Sequence, residues 1–292
     1  MRKKAILATL IVSAIGLAGI LVSHQARPAP NHPYFEPDRI RVIAHRGGAG
    51  LWPENTLHAL KNAYALGVDI LEIDIRATQD MVPVLLHDNS VDRTTNGTGK
   101  VAEKTLEELE QLDAGYRWTM DEEHTFPFRS LGITIPTLEQ VFQALPTARY
   151  NIELKGKQPE LLEEVSRLIK EYGMSTRALC VSGSHASIKA FRLLSPDIAT
   201  AASLREGLML YLLGNLGIES IYSPEAFAFQ IPEHLFGIRV LTPAVIAAAH
   251  ARNCEIHLWT IDSTADMHRF IDAGVDGIIT NYPDRLIEIL SD

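Results

Sequence analysis

Glu72 and Asp74 stand two residues apart in the run 70–76. If that run is a strand, both carboxylates point to one face while Leu71, Ile73 and Ile75 point to the other. Two carboxylates on one face repel each other unless a cation or a proton lies between them, although the spacing alone is equally met by buried ion-pair partners. Three further clusters add to the pair. Asn151, Glu153 and Lys155 alternate in the same way along 150–155, His45-Arg46 closes the run 41–45, and His87-Asp88 closes 82–87. Three carboxylates, two histidines, an arginine and a lysine at four strand ends suit a phosphodiester. Glu72, Asp74 and Glu153 are hard oxygen ligands for one Mg²⁺ or Ca²⁺ and leave positions for phosphate oxygens and water. Arg46 can grip a phosphate through two parallel hydrogen bonds, and Lys155 adds a point charge. His45 and His87 can divide the proton work between nucleophile and leaving alkoxide, with His45 favoured as base and His87 as acid.

Such groups converge only if strands and helices place them. From residue 40 onward, β-branched runs alternate with amphipathic stretches. Strands are expected at 41–45, 70–76, 82–87, 150–155, 178–182, 198–203, 226–231, 255–261 and 276–281. Between them, Asn55 or Thr56 can cap a helix carrying Leu57, Leu60 and Tyr64 that ends at Gly67. Residues 159–172 form the next clear helix, Ser184 and Ser263 are further caps, and Thr242-Pro243 has the preferred order of cap then proline. Strands separated by single helices imply parallel pairing, and at this length the closed form is an α/β (β/α)8 TIM-type barrel over 40–292. Two details resist it: nine strands are expected where eight are wanted, and 76–82 is too short for a crossover helix. A long insertion after the third strand, about 89–136, opens a short helix with the capping box Thr105–Glu108.

The chain has 292 residues and a formal charge of −9. Arg2, Lys3 and Lys4 aside, 24 basic residues face 36 acidic ones, which excludes nucleic acid as a partner. Cys180 and Cys254 lie in separate apolar runs and read as small buried hydrophobes rather than a disulfide. Residues 5–23 carry no charge and as a helix would span about 28 Å, so residues 1–25 read as an N-terminal transmembrane helix, with a cleaved signal peptide as the alternative. The basic start would stay in the cytoplasm. The domain is then expected on the extracytoplasmic side of the membrane, periplasmic in a Gram-negative bacterium, or secreted if the segment is cleaved. The proline-rich stretch 26–39 reads as a tether.

His45-Arg46-Gly47-Gly48, Pro53-Glu54-Asn55-Thr56, Glu72-Ile73-Asp74, His87-Asp88, Arg93-Thr94-Thr95-Asn96-Gly97-Thr98-Gly99, Ile152-Glu153-Leu154-Lys155, Trp259-Thr260 and Gly274-Val275-Asp276-Gly277-Ile278-Ile279-Thr280 together resemble the glycerophosphodiester phosphodiesterase family. The resemblance runs from about residue 40 to 284. It implies a barrel with one divalent ion on Glu72, Asp74 and Glu153, His45 and His87 as acid/base pair, and Arg46 and Lys155 on the phosphate. It also implies that Glu54 and Asn55 support the first loop and the substrate site, that Trp259 lines the cavity, and that the insertion covers the alcohol side. Trp259 has the alternative reading of a core aromatic. Asn281 departs from the pattern, since related chains often carry Asp there. The implied reaction is metal-dependent hydrolysis of a glycerophosphodiester to glycerol 3-phosphate and an alcohol, with a lysophospholipase D acting on single-chain phospholipids as the alternative. A non-catalytic binding protein on the same scaffold is disfavoured because every group the chemistry needs is present. The run Leu208-Met209-Leu210-Tyr211-Leu212-Leu213 reads first as helix core, and otherwise as a greasy lip to the site.

Overall fold

The structure, a computed structural model, describes residues 26–35, 39–121 and 124–291. In chain order the strands are β1 (Arg41–Ala44), β2 (Ile70–Ala77), β3 (Pro83–Leu85), β4 (Tyr150–Leu154), β5 (Ala178–Val181), β6 (Ala199–Thr200), β7 (Ala228–Ile231), β8 (His234–Leu235), β9 (Ile238–Arg239), β10 (Glu255–Leu258) and β11 (Gly277–Thr280). The α-helices are α1 (Leu57–Leu66), α2 (Leu106–Glu110), α3 (Leu138–Ala144), α4 (Pro159–Glu171), α5 (His185–Leu194), α6 (Leu204–Leu216), α7 (Pro243–Ala251), α8 (Thr264–Asp272) and α9 (Pro283–Ser291). Eight strands pair in parallel in the order β6-β5-β4-β2-β1-β11-β10-β7. The ring closes where Ala202 N–H donates to Ala228 O at 2.8 Å and Phe227 N–H to Thr200 O at 2.9 Å. This is the expected (β/α)8 barrel.

Both anomalies in the sequence have one cause. β3 pairs antiparallel with β2, Ile75 opposite Leu85, across a turn closed by Thr78 N–H to Val82 O, so the connection needs no crossover helix and the ninth strand lies off the barrel. His87 therefore does not end a parallel strand. The chain runs back down beside β2, where Leu86 N–H donates to Asp74 O at 3.0 Å, and this return delivers His87 to the site. The long excursion follows this third strand as expected, and because β3 lies off the ring it falls between the second and third strands of the ring. It has its own small core of Val84, Leu86, Val91, Val101 and Leu109.

Strand alternation divides the apolar residues. Ile73 and Ile75 join the large core under the helices, whereas Ile43, Ile70, Leu179, Ala199 and Ile279 fill the barrel interior. The helix starts follow the sequence: Thr56, Ser184, Thr242 and Ser263 each accept a backbone N–H, and Thr105 completes its capping box. Cys180 and Cys254 are buried and free.

The tether reading is corrected for residues 26–35. Ala29 N–H donates to Arg252 O at 2.9 Å, Asn253 Nδ2 donates to Ala29 O at 2.8 Å, and Tyr34 is fully buried against the interior cluster. This stretch plugs the N-terminal end of the barrel. The proposed membrane segment, residues 1–25, lies outside the described residues. Among those described, no helix is long and apolar enough to cross a membrane.

Candidate active site

The register of β2 on β4 sets Glu72 opposite Asn151 and Asp74 opposite Glu153. Three inward carboxylates thus meet at the C-terminal rim, with ligand oxygens of Glu72, Asp74 and Glu153 all within 4.8 Å of one another. Burial, and then the charges of Asp74 and Glu153, push the Glu72 carboxyl well above its ordinary range. Lys155 bridges the other two, its Nζ lying 3.1 Å from Asp74 Oδ1 and 2.8 Å from Glu153 Oε2. Against the burial that would lower it, these carboxylates hold the ammonium above its usual range.

The loop after β1 supplies the opposing charge through unusual backbone. Arg46 and Asn55 adopt left-handed conformations at φ 52° and 56°, the sparsely populated geometry that clusters at functional sites. Gly47, also left-handed, must be glycine for a second reason: a Cβ there would lie 3.0 Å from Ala59 Cβ. The twist turns Arg46 N–H onto Glu72 Oε2 at 2.7 Å, and Arg46 Nη1 donates to Glu54 Oε1 at 2.9 Å. Arg46 Nε is buried 3.3 Å from Asp74 Oδ2 without forming a hydrogen bond. Asn55 clamps Asp74 from both sides, donating from Nδ2 to Oδ2 at 2.8 Å and accepting Asp74 N–H at 3.1 Å. Arg93 donates twice to Glu54 and once to Asp88. Against burial, Arg93 and Arg46 keep the Glu54 carboxyl below its ordinary range.

The two histidines have different neighbours. Asp262, an acceptor only, takes the backbone N–H of Asn281 at 2.8 Å and its Nδ2 at 2.8 Å. Asn281 Oδ1 is therefore the atom that faces His45, and it accepts from Nδ1 at 2.7 Å, leaving Nε2 without a proton. Burial and the adjacent Arg46 lower the pKa of His45. His87 Nδ1 donates to Asp88 Oδ1 at 2.7 Å. Against burial, hydrogen bonds from Arg93 and His87 hold Asp88 at about 2, so it is a carboxylate at any working pH.

These groups open on a cavity of about 430 Å³. His45, Arg46, Glu72, His87, Glu153 and Lys155 line one end, while Leu204, Leu208, Tyr211, Ile231, Pro232 and Leu235 line the other. Trp259 lies on its wall with 45% exposure, which settles it as a cavity residue rather than a core aromatic. Glu54 and Asn55 are not on the wall but behind it, holding Arg46 and Asp74. None of the described residues of the excursion 89–136 lines the cavity either. The excursion braces the first loop instead, with Trp118 Nε1 donating to Ala49 O at 3.0 Å and Arg93 gripping Glu54.

Asp262 was missed in the sequence. It follows β10 at the same rim as the other site residues, and that position was the available signal. Arg93 stands in the sequence only as part of the motif 93–99, and Asn281 only as a departure from the pattern, because Glu54, which Arg93 holds, and His45, which Asn281 holds, lie far from them in the chain.

The acidic cluster fits a divalent cation. Three hard oxygen donors converge on one point, and Glu72 bears a like-charge penalty that a cation would remove. Asn151 adds a buried amide on the cavity wall whose Oδ1 accepts no hydrogen bond.

Residues 45–285 match the sequence model of the Glycerophosphoryl diester phosphodiesterase family. A glycerophosphodiester phosphodiesterase of Caldanaerobacter subterraneus subsp. tengcongensis is 36% identical over 254 residues, covering 85% of this chain and 97% of the relative. A lysophospholipase D of Rattus norvegicus is 27% identical, covering 86% of each chain. Among solved structures, an Oleispira antarctica phosphodiesterase in complex with the product sn-glycerol-3-phosphate superposes with a TM-score of 0.71 at 25% identity, covering 90% of this chain and 100% of that one. The chain is a phosphoric diester hydrolase of the glycerophosphoryl diester phosphodiesterase family.

Proposed function

We propose that the rim site hydrolyses glycerophosphodiesters to glycerol 3-phosphate and an alcohol, with one divalent cation, Mg²⁺ or Ca²⁺, held by Glu72, Asp74 and Glu153. The observation that carries this reading is the convergence of those three carboxylates beside a cavity that Glu72, Glu153 and two histidines, each engaged at Nδ1, line. When bound, the cation supplies a Lewis acid that draws charge from the phosphoryl oxygens. Arg46 and Lys155 orient the phosphate by hydrogen bonds and charge. His45, whose partner is a neutral amide and whose neighbour is a guanidinium, arrives with Nε2 unprotonated and there takes a proton from the attacking oxygen. As the new P–O bond forms and the bond to the alcohol breaks, His87, braced by the Asp88 carboxylate, gives its Nε2 proton to the leaving oxygen. Trp259 bounds the space for the organic part of the substrate. Residues 1–25 would hold the domain on the extracytoplasmic side of a membrane.

A second substrate, a single-chain phospholipid, is favoured by the apolar half of the cavity, which a small polar alcohol does not need. The test is a product assay on glycerophosphocholine and lysophosphatidylcholine, with Mg²⁺ and Ca²⁺ compared. The expected products are glycerol 3-phosphate or lysophosphatidic acid, plus choline. Release of phosphocholine instead, or no turnover with either ion, would overturn the reading.

A further inference from the structure

Helix α6 leaves most of its leucines exposed. Leu204, Leu208, Met209, Leu212 and Leu216 are between 43% and 69% exposed, and only Leu210 and Gly214 of the helix are buried. Gly214 lets the helix cross α7 closely, since a Cβ there would lie 2.9 Å from Ala248 Cβ, and this contact fixes which side is turned out. The helix-core reading of this run is thereby corrected. From Gly207 to Gly217 the helix carries no charge at all, which is unusual for a surface helix. Leu204, Leu208, Leu212 and Leu216 recur every four residues and so form one stripe.

The stripe is continuous with the cavity, because Leu204 and Leu208 also line its apolar end. The hairpin β8–β9, which follows the neighbouring strand β7, adds Leu235 to the wall and turns through Phe236 and Gly237, both left-handed. Phe236 is 92% exposed and Ile238 is 57% exposed. A bulky ring held out at a turn tip, beside an uncharged leucine stripe, is an apolar surface of the kind that marks an interaction site. At the far end of the stripe Arg27 N–H donates to Ser223 Oγ at 3.0 Å, so the chain that leads back to the uncharged residues 5–23 departs beside the end of α6.

We propose that the α6 stripe and the Phe236 turn form a surface that lies in the face of a lipid bilayer. Three observations select lipid as the occupant. The runs 207–217 and 235–238 carry no charge with which to recognise a partner, the stripe runs into the substrate cavity through Leu204 and Leu208, and its far end lies where the chain leads back to the uncharged N-terminal segment. A 13-residue helix is about 20 Å long, too short to span but suited to lying in the plane of the interface. A single-chain substrate would then pass its acyl chain from the bilayer along Leu208 into the cavity without crossing water. The inference rests on the phosphodiesterase reading of the cavity, and the test keeps the two apart.

Full-length protein is reconstituted in phosphatidylcholine vesicles with an environment-sensitive fluorophore on a cysteine placed at Leu212, Phe236 or, as control, Lys61. Lipids brominated in the acyl chain should quench the probes at 212 and 236 several-fold more than the probe at 61. Equal quenching at all three positions, or none at 212 and 236, overturns the proposal, including the case in which residues 5–23 or a second copy cover the stripe. In parallel, Leu212→Asp and Phe236→Asp should lower turnover of vesicle-embedded lysophosphatidylcholine tenfold or more. Both should leave soluble glycerophosphocholine within twofold. Loss on both substrates, or on neither, contradicts a lipid surface, while absence of glycerophosphocholine turnover in the unsubstituted protein strikes the phosphodiesterase reading instead.

Discussion

Both ends of the barrel bury carboxylates, and the two ends treat them oppositely. At the N-terminal end Glu255 accepts from Arg41 at 2.5 and 3.1 Å and from His257 Nε2 at 2.8 Å. His257 Nδ1 then accepts from Gln230 at 3.3 Å, and Gln230 from Asn151 at 3.2 Å, so each donor finds an acceptor up to the floor of the cavity. Against burial, His257 and Arg41 hold Glu255 below its ordinary range. At the C-terminal end burial acts on Glu72 in the same direction, but its neighbours are carboxylates, and its pKa rises. Burial therefore does not distinguish the two ends. The number of opposite charges within reach does. One end is paired for stability, whereas the other keeps a surplus of negative charge that only a ligand relieves.

The sharpest way to break this contrast is to neutralise one carboxylate at each end. Glu72→Gln or Asp74→Asn should cost on the order of 10³-fold or more in turnover, as for loss of a principal electrostatic stabiliser, and should abolish divalent-ion binding in calorimetry without unfolding the chain. His45→Ala and His87→Ala should each lower turnover by roughly 10²–10⁴-fold. With a nitrophenol leaving group, which needs no donated proton, the His87 variant should recover most of its rate and the His45 variant should not. Failure of both to recover would remove the division of labour. Glu255→Gln, at the paired end, should lose about 3 kcal/mol or more of unfolding free energy in denaturant titration, because it strips a buried guanidinium of its carboxylate, and should leave turnover per folded molecule unchanged.

Smaller effects refine the same picture. Asn281→Ala should cost about 10–100-fold, the usual worth of an outer partner that orients a working side chain, and should be read as a fall in kcat more than a rise in KM. Among the paired groups, His250 is raised by its hydrogen bond to Asp276, against burial. A histidine whose folded pKa is raised contributes stability below its unfolded pKa and loses it as pH rises through the folded value. The side chain is 43% exposed, so the contribution should stay below about 1 kcal/mol. His250→Ala should accordingly narrow the melting-temperature gap to wild type as pH rises from 6 to 8.

The period-2 spacing of Glu72 with Asp74 and of Asn151 with Glu153 was legible because a strand writes its faces into the sequence. The helix starts at Thr56, Thr105 and Ser263 were legible for the same local reason. Strand direction was not: 82–87 has the composition of any barrel strand, and only pairing with β2 makes it antiparallel. Nor was the support of His45, which joins residues 45, 262 and 281 through side chains with no local signature. The leucines of α6 misled because a run that is apolar on every side carries no period to say which face is covered. The proline-rich stretch 26–35 hid its docking for a similar reason, since Arg252 and Asn253, which hold it, lie more than two hundred residues away.

Thermal denaturation of Glu72→Gln across pH, with and without divalent cation, tests the central contrast most directly. A carboxyl whose folded pKa is raised imposes a penalty that sets in as pH rises past its unfolded pKa and is complete once pH exceeds the folded one. Without cation, Glu72→Gln should therefore melt with wild type in acid and increasingly above it towards neutral pH. Adding Mg²⁺ or Ca²⁺ should raise the melting temperature of wild type and leave the variant unmoved. A variant less stable than wild type at neutral pH without cation, or a cation that stabilises both equally, would contradict the account.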